Sequence, residues 1–108
     1  MLFGSMAVLM VMLLVFESAA YWHARNVFDE AAIEGARVAA AYDGDCADGI
    51  AAAEAMVARH AGGWGSGVRV TCRSGAMVSV TVVGRTPGVL GELFGVRARV
   101  TESAPKEG

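Results

Sequence analysis

The first sixteen residues contain no charged side chain, and no Lys or Arg precedes Arg25. The first absence excludes a solvated surface for that stretch. The second removes the basic start that a secretory signal peptide wants, and leaves the positive-inside rule only the amino terminus to count there. Proline is scarce, at 2 residues, and the 14 glycines sit mostly in connections such as Gly62-Gly63-Trp64-Gly65-Ser66-Gly67, so the chain is neither low-complexity nor disordered. A net charge of -2 provides no basic footprint for nucleic acid. The 2 cysteines, Cys46 and Cys72, stand far apart, and His23 and His60 do not complete a paired-ligand spacing with them, so no metal site is expected.

Catalytic signals are missing as well. No Ser or Cys nucleophile lies in a recognisable motif, no Gly-rich loop joins a strand to a helix, and no spacing forces two carboxylates together. His23 beside Trp22 reads as an interfacial residue, and His60 as a helix C-terminal one. The chain is therefore expected to be no enzyme, with no cofactor and no small-molecule substrate.

What is present begins with the uncharged run. At about 1.5 Å per residue, residues 1–16 make roughly 24 Å of helix, short of a hydrocarbon core of about 30 Å. Continuing through Glu17, Ser18, Ala19 and Ala20 to Tyr21 and Trp22 gives roughly 33 Å and ends on the residue types enriched at headgroup level. Residues 1–22 are thus expected to span a lipid bilayer, with Glu17 near the interface. There its carboxylate reaches water or pairs with a cation on an adjacent protomer. The competing reading is a signal peptide cleaved before Tyr21, for which Ser18 and Ala20 are small enough. It would release a small secreted binding module.

A chain of 108 residues leaves room for one small external domain, expected over residues 23–102, with a frayed tail over 103–108. After Trp22 the helical period persists: Val27, Phe28, Ala31, Ala32, Gly35, Ala36 and Ala39 share one side, and Tyr42-Asp43-Gly44-Asp45 stops the helix. A second helix is expected from Cys46 or Ala47 to His60, with Asp45 as N-cap and the apolar stripe Ile50, Ala53, Met56, Val57 and Ala61. Beyond the Gly-rich turn the period becomes two. Val68-Arg69-Val70-Thr71-Cys72 and Met77-Val78-Ser79-Val80-Thr81-Val82-Val83 predict a hairpin, and Val96-Arg97-Ala98-Arg99-Val100-Thr101 a third strand, after the apolar stretch Val89-Leu90-Gly91-Glu92-Leu93-Phe94. The fold class is α+β: a long first helix, a short second helix and a three-stranded antiparallel sheet.

Two features bear on assembly. Ala31, Gly35 and Ala39 form a small-xxx-small row, which either lets sister helices approach closely or seats the second helix or the sheet. Glu17 is the second, facing water or a neighbouring subunit. Cys46 and Cys72 are either a disulfide, which an extracytoplasmic compartment permits, or two half-buried thiols.

The run Tyr21-Trp22-His23-Ala24-Arg25-Asn26-Val27, followed by Ala31-Ala32-Ile33-Glu34-Gly35-Ala36-Arg37-Val38-Ala39 and Tyr42-Asp43-Gly44, resembles the TadE-like proteins of actinobacteria. The order of the later segments is similar too, down to a Thr86-Pro87-Gly88-Val89-Leu90-Gly91 stretch. Glu34, Gly35, Ala36 and Arg37 carry the family signature. The resemblance implies a pilin-like minor subunit of tight-adherence (Flp-type) pilus assembly, held in the cell membrane by a single pass with its C-terminal domain extracytoplasmic. Its partners would be other pilin-like subunits or the pilus secretion machinery. Family members carry a basic leader, a Gly at the peptidase cut and a Glu shortly after it; here Leu9 and Met10 stand where that Glu falls, with Gly4-Ser5 as the nearest remnant. Either the start lies upstream of Met1 or this member is not processed.

Overall fold

The computed structural model describes residues 1–61, 67–87 and 93–107. Helix α1 runs unbroken over Leu2–Ala40 and α2 over Cys46–Ala61, followed by β1 (Arg69–Arg73), β2 (Met77–Arg85) and β3 (Arg97–Pro105). The strands pair antiparallel in the order β1-β2-β3, with β2 central. The expected α+β architecture is therefore the one observed.

The two helices are punctuated by local chemistry. Ala41 leaves the helix with an extended ψ of 155. Gly44 then turns so tightly that a Cβ there would run into the Val38 carbonyl, which explains the glycine. Asp45 caps α2: its Oδ1 accepts the Asp48 amide at 2.9 Å, and Asp48 Oδ2 accepts the Asp45 amide at 3.3 Å. This reciprocal pair satisfies two amides that the helix start leaves unpaired.

The outer half of α1, α2 and one face of the sheet enclose a main core, with a smaller cluster of Ala39, Ala40 and Val78 beside it. Phe28, Ala31, Ala32, Ala53, Val80 and Val82 are fully buried. Alternation along β2 sends Val78, Val80 and Val82 inward, and β3 adds Ala98 and Val100. On the other face the pairs Ser79–Ser103 and Thr81–Thr101 join hydroxyls across the strands at 2.8 and 2.9 Å. The first half of α1 projects away from all of this, giving a rod of 67 × 21 × 19 Å.

The C-terminal segment departs from expectation. Instead of fraying from Ser103, β3 continues to Pro105, because β2 is long enough to pair Met77 with Pro105 and Ser79 with Ser103. Pro105 is tolerated as the last residue of an edge strand. The Lys106 amide then donates to Ala76 O (3.0 Å), and the Glu107 amide to Ala40 O (2.8 Å). The Gly-rich turn over 62–66, the stretch 88–92 and Gly108 lie outside the described residues.

Candidate membrane and assembly surface

Residues 2–16, the first part of α1, are all exposed. Leu9 is 66% exposed and Phe16 62%, and the most apolar window of the helix is not buried at all. By length and composition this helix suffices to cross a membrane, a test that an N-terminal signal sequence also passes. In water such a surface is costly at about 25 cal/mol per Å² of apolar area. It calls for an apolar cover, whichever of the two it is.

At the junction between the bare and the buried halves, Tyr21 and Trp22 stack edge to face with centroids 6.1 Å apart, and the Arg25 guanidinium lies 5.9 Å from the Trp22 ring. Such amphipathic rings with a cation alongside suit a boundary between oil and water. Glu17, expected at an interface, is buried to 8% exposure. It lines a cleft of about 280 Å³ between Leu14, Tyr21 and Trp22 of α1 and Thr86 and Val96 at the end of the sheet. Thr86 is pinned there by its amide and its hydroxyl, which donate to Val96 O at 3.0 and 3.1 Å.

The small-residue row turns out to serve the protomer itself. Ala31, Gly35 and Ala39 are buried, and a Cβ added to Gly35 would stand 2.9 Å from Gly49 O and 3.1 Å from Ala53 Cβ. The row seats α2 and the sheet, so it is not open to a sister helix. Within the signature Glu34-Gly35-Ala36-Arg37 the roles divide accordingly. Gly35 and Ala36 face the core, while Arg37 Nε donates to Glu34 Oε2 at 3.1 Å on the surface. That hydrogen bond and the Glu34 charge raise the Arg37 pKa. An exposed pair of this kind adds little stability.

Cys46 and Cys72 form a disulfide, with Cα atoms 5.6 Å apart, tying the start of α2 to the edge strand β1. Among the described residues there is no free cysteine and no cluster of three metal-ligating side chains.

Two arrangements escaped the sequence. Lys106 Nζ donates to the carbonyls of Ala39, Ala41 and Gly44 at 3.1, 2.6 and 2.7 Å, capping the open end of α1 with a cation. The Glu102 carboxyl on β3 hydrogen-bonds Asp29 on α1. That bond, then partial desolvation, then the Asp29 charge hold its pKa above the ordinary carboxylate value. Both arrangements join residues too distant in the chain for spacing to reveal.

No family model matches this sequence, and no curated protein or solved structure matches it either.

Proposed function

We propose that this chain is a membrane-anchored, pilin-like minor subunit of the TadE-like type, taking part in tight-adherence (Flp-type) pilus assembly without catalysis. Residues 1–22 cross the cell membrane once, the α+β head stands on the extracytoplasmic side, and its partners are other pilin-like subunits or the secretion machinery. The observation that carries this reading is the continuity of α1: a bare apolar rod and the central helix of a folded head are one helix over Leu2–Ala40. The Cys46–Cys72 disulfide supports an oxidising compartment for the head. With Ala31, Gly35 and Ala39 enclosed, contacts between subunits fall to the bare segment, where helices pack in lipid.

The competing reading, a binding module released before Tyr21, loses Leu14 and Glu17, one wall of the cleft against Thr86 and Val96. A retained helix keeps that packing. The test is genetic: deletion in the native host should abolish surface fibres, and the whole chain should restore them. Restoration by a secreted chain beginning at Tyr21 would favour the released module instead.

A further inference from the structure

We infer that the sheet end nearest the apolar half of α1 is a second membrane contact, in which Arg69, Arg85, Arg97 and Arg99 bind anionic lipid headgroups while Leu93 and Phe94 enter the acyl boundary. This rests on the anchored reading of residues 1–22.

The levels of the two elements can be matched. Val78 packs with Ala39 and Ala40, a Cβ on Gly35 would meet Val80 Cγ1 at 3.2 Å, one on Gly84 would meet the Phe28 ring at 2.8 Å, and Thr86 shares the cleft with Tyr21. Travelling along β2 from Val78 to Thr86 thus descends α1 from Ala40 to Tyr21. Arg85, one residue past Gly84, and its partner Arg97 lie level with the turn just beyond Trp22. At about 1.5 Å per residue that is roughly 5 Å above the aromatic pair, within a headgroup layer about 5–7 Å thick. Val96 lines the same cleft as Leu14 and Glu17, and the nearby Leu93 and Phe94 are 72% and 73% exposed.

Charge on the outward face of the three strands is of one sign. The outward positions of the sheet hold Arg69, Arg73, Arg85, Arg97 and Arg99, and no Asp or Glu. Arg85 and Arg97 are direct cross-strand partners, and Arg69 and Arg99 flank Val83 in the adjoining row. Like charges facing each other across a ladder repel. The ion pair between Glu34 and Arg37 lies on another surface, on α1. Arginines on edge strands deter edge pairing, but Arg85 sits on the central strand, where that role does not apply. An anion that gathers several guanidinium groups relieves the repulsion, and a phosphodiester headgroup does so bidentately. The patch lies on the sheet face turned away from α1 but near the level of Trp22, so the bilayer that holds the helix is the anion source within reach. In a two-fold contact a sister copy would present the same arginine-bearing face.

The test uses the full chain in nanodiscs, with an environment-sensitive fluorophore on Phe94→Cys and the native disulfide intact. Phosphatidylglycerol-containing discs should give blue-shifted emission quenched by acyl-chain spin labels. Pure phosphatidylcholine discs, raised ionic strength, or the R85Q/R97Q variant should each lower the inserted-to-exposed ratio, by about fivefold per arginine lost. A probe that stays in water in phosphatidylglycerol discs overturns the inference, and so does insertion indifferent to lipid charge and salt. Both comparisons hold on the chain with its arginines intact, should the double variant misfold. A chain that never enters the discs contradicts the anchored reading itself. Quenching that appears only when two copies share a disc assigns the patch to protein contact and overturns the lipid proposal.

Discussion

Gly35 and Gly49 meet backbone to backbone where α1 crosses α2: a Cβ on Gly35 would stand 2.9 Å from Gly49 O, and one on Gly49 would stand 2.6 Å from Gly35 O. No side chain fits between them. Gly49→Ala also drives its methyl against Ala39 Cβ, at 2.7 Å. The helices must then separate, at a cost of about 1–3 kcal/mol for overpacking. Chemical denaturation of the chain in detergent should show that loss, whereas Gly4→Ala, where nothing lies within 4 Å, should be neutral.

The disulfide ties α2 to β1 in a head with a small core. Closing a loop of this length stabilises by about 3.5 kcal/mol in the chain-entropy model. Replacing both Cys46 and Cys72 by Ala should lower stability by that order. Adding reductant to the native chain should reproduce the loss and leave the double variant unchanged.

The hydrogen bond with Asp29, then partial burial and the Asp29 charge, hold the Glu102 carboxyl above the ordinary carboxylate range. Its folded-state pKa lies above the unfolded one, so the folded head holds the proton more tightly. That contribution is complete below the unfolded value and is lost as pH rises through the folded one. Glu102→Gln should therefore gain stability relative to the native chain as pH rises through and above the ordinary carboxylate range. Paired thermal melts across that range read the difference directly. Parallel curves would contradict the shared proton.

Lys106 holds three carbonyls at the end of α1. Lys106→Met should cost about 1–2 kcal/mol, the upper range for a cation at a helix C-terminus. Amide exchange at Gly44, whose N–H donates to Ala41 O at 3.0 Å, should accelerate. If exchange there is unchanged, the tail does not brace the helix.

Much of this fold was legible because the periods are clean. The row Val27, Phe28, Ala31, Ala32, Gly35, Ala36 and Ala39 marks the buried side of α1, and alternating valines mark β2. The first helix ends at Ala40, two residues before the expected Tyr42, since Lys106 and the tight Gly44 turn close it early. The end of β3 was illegible: Glu102, Ser103 and Ala104 lack the branched apolar side chains that announce a strand, and what holds them is the length of β2. The small-residue row carried two meanings at once, because close approach to a sister helix and to α2 require the same residues. Burial separates them. Pairing of Cys46 with Cys72 depended on a three-dimensional distance that no spacing contains.

On the proposed function, enclosure of the row leaves the bare segment for contact between copies. Bifunctional crosslinks between copies should form in membranes from Leu9→Cys or Leu13→Cys, both on the bare segment, and not from Ala31→Cys, which is fully buried. Crosslinking at Ala31 without loss of the folded head would show that α2 leaves this face.

The most direct measurement is the depth of Leu9. A spin label at Leu9→Cys, read by power saturation in reconstituted vesicles, should be accessible to oxygen and shielded from a water-soluble nickel chelate, with the reverse at the exposed Asp43. Chelate access at Leu9 equal to that at Asp43, or a mature chain that begins at Tyr21, would contradict a helix shared between lipid and head.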